Sequence, residues 1–319
     1  MFNFFKIADN TFKESVREPI YFLMLLCALA LIGHFPAMAL FVFSEQLKLV
    51  VDSAMATSLL FGLVAAVLCA SHTVSREMRN GTVLLLLSKP VHRWSFVLAK
   101  IAGIALAASL FAILCNLSSL IAVYIAVDQF RMDMSAYFAF MAILIVGCVI
   151  GMVSNFTKGS SFAAVATGSY AILIPLYAVY CLLAKERPAI AVGDLVLALV
   201  LINMAVLAMS TLAVVFATRL DVVANLSVCS GLFFLGLVSG YIFGRDTGSE
   251  ILNVVFGIIY AILPNWQYFW LADAIAANRP IPGMYVVWSG VYVTLFVTIC
   301  SMWATAIFQN KEIAGDQRQ

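Results

Sequence analysis

Long apolar runs alternate with short polar breaks along almost the whole chain, and the runs set the predicted elements. A helix rising about 1.5 Å per residue needs about 20 consecutive apolar residues to cross the hydrocarbon core of a bilayer. Segments 20–43, 54–75, 96–127, 135–155, 161–183, 193–217, 222–243 and 285–308 meet that length. They predict about eight transmembrane helices, with six as the alternative count. Segment 96–127 is longer than a bilayer requires and is expected to tilt or to project into water. Segment 251–263 is apolar but too short to cross, and Pro264-Asn265-Trp266 closes it. That length suits a short re-entrant or interfacial helix, placed here within an outer segment at 248–284.

Ahead of the first run, residues 1–19 mix polar and apolar positions and do not read as a signal peptide. Phe5, Ala8, Phe12 and Val16 recur at helical spacing, while Lys6, Asp9, Lys13 and Arg17 take other faces. This pattern predicts an amphipathic helix lying in the membrane surface, with its basic side chains near anionic headgroups.

Composition narrows the class. Hydrophobic residues make up 64% of the 319 positions and charged residues 11%, where soluble domains carry about 45–50% and about 25%. The reading is therefore an all-α polytopic integral membrane protein, organised as one transmembrane domain over 1–319. The net charge of +2 is too small to suggest nucleic acid. The placement of charge says more than its sum. With the N-terminus inside, 12 of the 18 Lys and Arg residues fall on the inner face and 6 on the outer. That bias predicts that both termini and the loop from Arg76 to Arg93 lie in the cytoplasm, and the expected location of the multi-pass chain is the cell's inner membrane. Trp266, Tyr268, Phe269 and Trp270 then fall in the outer headgroup layer.

Few side chains suggest chemistry. The seven cysteines sit inside apolar runs without a CxxC pair, so they read as apolar filler. All sixteen acidic residues can be assigned to loops or span ends, which argues against an ion-coupled pump with a midplane carboxylate. His34, Asn116, Ser118, Ser119, Asn203, Ser210, Thr211, Ser227 and Ser230 are left inside spans and read as helix–helix contacts. The three histidines share no metal-ligand spacing, and neither HExxH, GxSxG nor GxxxxGK[ST] occurs. No catalytic residue, metal or cofactor is implied.

The most informative stretch lies between the second and third spans, within residues 76–95. Four consecutive leucines, Leu84 to Leu87, are bounded by Gly81-Thr82 on one side and Pro90 on the other. Gly81 permits a break, Thr82 can cap a new helix, and Pro90 ends it. The product is a short amphipathic helix held against the inner face between two turns. The pattern Glu77…Gly81-Thr82…Leu86-Leu87-Ser88…Pro90-Val91…Arg93…Lys100 resembles the signature of ABC-2-type permeases, the membrane subunits of ATP-binding-cassette exporters. Ile7-Ala8…Thr11-Phe12…Glu14…Arg17 is similar to their N-terminal elbow helix. Leu263-Pro264-Asn265…Phe269…Asp273 is similar to the outer re-entrant segment of one branch.

The resemblance implies a permease that dimerises, with itself or with a related permease, and binds separately encoded cytosolic ABC ATPase subunits. It implies a cytoplasmic coupling helix as their docking site, to which Glu77, Arg79, Gly81, Thr82, Leu85, Leu86, Ser88, Pro90 and Arg93 are assigned, with Lys6, Phe12, Lys13 and Arg17 on the elbow helix nearby. The family usually has six spans, and eight are counted here. Two other classes remain open from the residues alone. One is an ion-coupled secondary transporter. The other is a membrane-embedded enzyme, for which His72 and His92 are the only candidates.

Overall fold

Helix dominates the computed structural model, which describes residues 2–40, 45–75, 93–127, 131–185, 188–243, 250–277 and 279–316. In chain order the helices are α1 (Phe2–Arg17), α2 (Pro19–Ala39), α3 (Gln46–Ala70), α4 (Arg93–Ile125), α5 (Met134–Lys158) and α6 (Phe162–Ala184). Then follow α7 (Val192–Ala217), α8 (Val222–Phe243), α9 (Glu250–Ile262), a 3-10 turn (Trp266–Phe269), α10 (Ala272–Ala276) and α11 (Gly283–Asp316). Among the described residues, eight helices are long and apolar enough to cross a membrane, in line with the count of eight.

Local chemistry sets several of the boundaries. Pro19 opens α2, where its missing N–H costs nothing. The Asp133 carboxylate accepts from the Ala136 N–H at 3.0 Å and caps α5. Gly159, at φ 64°, takes the left-handed conformation that ends α5, and its N–H returns to the Asn155 carbonyl. Asp221 caps α8 in the same way as Asp133, through the Ala224 N–H at 3.0 Å.

Three helices make the centre. In α3, α4 and α7 the most apolar windows are 61%, 61% and 67% buried, against 22% in α11 and 28% in α5 and α8. Each of the three central helices packs on the other two. Asn116 of α4 joins them: it accepts from Ser58 Oγ of α3 at 2.5 Å and donates to the Leu199 carbonyl of α7 at 2.8 Å. Around this centre, α2 lies on α3 and α4, the α5–α6 hairpin closes on α2 and α4, and α11 covers α7.

Three expectations need correction. First, α3 starts at Gln46 rather than residue 54, so Lys48 and Asp52 belong to its first two turns and not to a loop. Its 25 residues reach about 38 Å, longer than the hydrocarbon core, so those turns fit at the polar end. Second, the intramembrane hydroxyls expected at helix–helix contacts are mostly buried there but send their hydrogen bonds within their own helix. Ser118, Ser119, Ser210, Thr211 and Ser227 each donate to a carbonyl of their own helix three or four residues back. Of the residues named for that role, Asn116 and His34 do join helices, His34 through its Nδ1, 2.9 Å from Tyr137 Oη of α5. Third, the inward face of α1 matches the predicted one only in part. Ala8 and Val16 are buried and Phe12 packs against the core as expected, Thr11 and Ser15 are buried beside them, and Phe5 is 68% exposed.

The short apolar segment expected to be re-entrant is a 13-residue helix, α9, followed by a turn that docks on α8. Asn265 caps the turn through the Gln267 N–H at 3.0 Å. Gln267 Nε2 donates to the Leu237 carbonyl at 2.7 Å, and the Trp266 indole, 1% exposed, donates to the Leu232 carbonyl at 3.4 Å. Gly236 admits this turn: a Cβ there would lie 2.2 Å from the Pro264 carbonyl oxygen.

Candidate functional site

The alternation of the spans brings α1, the start of α2, the end of α3 and the start of α4 to one end of the bundle. Residues 76–92 connect the last two. Glu77, Arg79, Gly81, Thr82, Leu85, Leu86, Ser88 and Pro90 therefore lie outside the described residues, and Arg93 is the first residue of α4. The chain on either side of the loop meets α1.

On the incoming side, α3 widens into a π-helical turn, Ser71–Ser75. Such turns leave backbone carbonyls displaced from the ordinary ladder and recur at functional sites. Two polar contacts hold it. Thr73 Oγ1 lies 3.3 Å from Ser15 Oγ of α1, both residues being buried. On the other flank, Asn225 Nδ2 of α8 reaches Ser71 Oγ at 2.7 Å and the Ala213 carbonyl of α7 at 3.1 Å. Asn225 is fully buried, so this amide pins α3, α7 and α8 together one turn before the loop.

On the outgoing side, α1 crosses α4 at Gly103. A Cβ on Gly103 would stand 2.5 Å from the Ala8 carbonyl oxygen and 2.7 Å from Thr11 Cβ. Only glycine allows the two helices this close. Lys100, the last residue of the motif read in the sequence, is buried one turn earlier, with Nζ 5.6 Å from the centroid of the Phe96 ring. That separation suits a cation over a ring face.

The elbow residues divide by face. Lys6, Lys13 and Arg17 are exposed together with Asp9, and Lys13 Nζ pairs with Asp9 Oδ2 at 2.6 Å. Phe12 is half-buried and packs against the core. The outer face of α1 is thus polar and largely basic, while its inner face is small and hydroxyl-bearing. Sequence reasoning passed over Ser15, Thr73, Ser71, Asn225 and Gly103. Of these, Gly103 carried a usable signal, a lone glycine three residues past the motif's Lys100 in an otherwise alanine-rich helix start.

The arrangement holds no acid–base or nucleophilic constellation among the described residues. What it offers is mechanical: both ends of one loop are fastened to the same amphipathic helix and run directly into two of the three central helices. A family model described as "ABC-2 family transporter protein" matches residues 1–187. The match takes in α1 to α6 and the loop. No curated protein matches the chain.

Proposed function

The chain belongs to the ABC-2 transporter family, and from that membership we propose that it is the permease of an exporter whose ATPase subunits dock on residues 76–93 beside α1. The family makes the chain a multi-pass membrane component of a transporter, not itself an enzyme, and implies pairing with an ABC ATPase subunit. Export as the direction, docking through the loop and the use of two copies, or of one copy with a related permease, are the finer parts of the proposal.

The observation that carries it is the fastening of both loop ends to α1, through Ser15 with Thr73 and through Ala8 and Thr11 against Gly103. A push on the loop then displaces α1, α3 and α4 together rather than bending one connection. Nucleotide drives such a displacement only through unequal affinity of the ATPase for the two arrangements. The leucines of the loop supply the contact: burying one is worth about 1.5–3 kcal/mol. Glu77, Arg79 and Arg93 orient the partner, and Gly81, Thr82, Ser88 and Pro90 shape the backbone. Lys6, Lys13 and Arg17 extend the basic surface towards the same partner or towards anionic lipid.

The same reading puts both termini and the loop in the cytoplasm, supported by the 12-to-6 division of basic residues. A cysteine introduced at position 89 should escape an impermeant reagent in sealed cells, and one at 279 should react. The docking itself is tested by co-purification. Leu85→Asp and Leu86→Asp should lose the ATPase while remaining resistant to carbonate extraction, because no span is touched. Arg93→Ala should weaken the complex less, and more visibly in high salt. Wild-type amounts of ATPase on both leucine variants would sink the assignment.

A further inference from the structure

The end of the bundle opposite α1 carries a pocket of about 210 Å³ lined by Tyr268, Tyr285, Trp288, Ser289 and Tyr292. Four of the five come from one face of the first turns of α11, at the i, i+3, i+4 and i+7 spacing of a helix. Tyr268 comes from the 3-10 turn. Tyrosines at a membrane boundary ordinarily turn their hydroxyls to water and their rings to lipid. These three have their hydroxyls engaged within the protein. Tyr285 Oη donates to the Tyr268 carbonyl at 2.7 Å, Tyr268 Oη is 3.1 Å from Tyr260 Oη, and Tyr292 Oη accepts from the Asn265 N–H at 3.4 Å. The Tyr268 and Tyr292 rings stand at 77° to each other with centroids 6.3 Å apart, edge to face. None of the five lining side chains bears a charge.

A pocket walled by uncharged aromatic rings offers a cation the negative faces of several π systems, and no carboxylate has to be desolvated with it. We propose that this pocket binds a quaternary ammonium group of the choline type. The group has two sources at this depth, the headgroup of a phospholipid or a soluble amine, and the chemistry of recognition is the same for both. The site is independent of ATPase docking, which takes place at the other end.

The test uses the full chain in nanodiscs of phosphatidylglycerol, which carries no ammonium. Choline chloride is titrated against sodium chloride at constant ionic strength while tryptophan fluorescence is followed. A saturable change is expected with choline and none with 3,3-dimethyl-1-butanol, which has the same shape without the charge. Trp288→Phe should silence the signal and keep binding when calorimetry is the readout. Tyr268→Phe should bind as the wild type does, whereas Tyr268→Leu, at a half-exposed position, should weaken binding by about five- to thirtyfold. Trp288→Leu, on an exposed face, should do the same by calorimetry, and melting curves check that both leucine variants are folded. In phosphatidylcholine nanodiscs a fall in apparent affinity for choline assigns the pocket to the lipid headgroup, and an unchanged affinity assigns it to a soluble amine. An equal response to the neutral alcohol, or unaltered affinity in folded Tyr268→Leu and Trp288→Leu, overturns the proposal.

Discussion

At the α1 end the helices meet through glycine, serine and threonine; at the opposite end they meet through tryptophan, phenylalanine and tyrosine. Gly103 lets the backbone of α1 approach α4, and Ser15, Thr73, Ser71 and Asn225 hold the turn before the loop with hydrogen bonds. Across the bundle, the rings of Trp266, Phe269 and Tyr292 meet at the 3-10 turn, with an aromatic pocket beside them. Small side chains bring backbones together, and in a bilayer close packing and hydrogen bonds hold helices where no hydrophobic drive exists between them. Such a contact moves as one body. Bulky rings fill space with fewer backbone contacts and leave room for a ligand. The contrast matches the two roles proposed above, transmission of a push at one end and reception of a small group at the other.

The largest expected effect separates the ends directly. Gly103→Val places a branched side chain against the Ala8 carbonyl, and Gly236→Val does so against the Pro264 carbonyl. Overpacking costs about 1–3 kcal/mol, and both variants should reach the upper part because backbone is the obstacle. Both should lower the melting temperature in detergent. Only Gly103→Val should also release the ATPase. Equal release by Gly236→Val would mean that the two ends do not act separately.

Asn225→Leu comes next. It removes a fully buried amide that satisfies Ser71 and the Ala213 carbonyl. Leaving such groups unpaired costs about 1–3 kcal/mol. The loss should appear in thermal melts and should leave choline binding at the far pocket unchanged. A smaller loss, about 1 kcal/mol, is expected for Ser15→Ala. In a double-mutant cycle with Thr73→Val, the two changes should sum to less than their separate effects. Full additivity would show that the 3.3 Å contact carries no coupling.

The spans were readable because each is a run of apolar residues, and length alone separates α9 from the crossing helices. Part of the inner face of α1, Thr11 and Ser15, was not readable for the opposite reason. Thr11 and Ser15 count as polar in any pattern, yet Ser15 Oγ donates to the Thr11 carbonyl at 3.0 Å and so enters the interior with its polarity satisfied. The same local bonding keeps the hydrogen bonds of most of the intramembrane hydroxyls within their own helices. Gly103 and Asn225 matter through partners far away in the sequence, Ala8 and Ser71. No local pattern announces such pairs. The motif carrying the resemblance was readable as a string, whereas the fastening of its two flanks needed the fold.

The smallest effect lies at the end away from α1, where Lys185 pairs with Asp133 across the mouth of the α5–α6 hairpin. The Asp133 carboxylate also accepts from Ser135 Oγ at 2.5 Å and from the Ala136 N–H at 3.0 Å. The Lys185 hydrogen bond, followed by that from Ser135, lowers its pKa to about 2, below the ordinary value of about 3.9. A depressed carboxylate contributes stability that is present above the unfolded pKa and lost as pH falls through the folded one. The window is therefore about pH 4 down to about pH 2. Lys185 is shifted upward, chiefly by the Asp133 hydrogen bond. Its share is present below the ordinary lysine pKa and lost as pH rises through the folded one. The pair is partly open to solvent, so about 1 kcal/mol or less is at stake. Asp133→Asn should lie below the wild type in melting temperature at pH 6, and the gap should close as pH approaches 2. A gap that stays constant over that range would place the origin of the difference in capping of α5 by either side chain, rather than in the charge of the pair.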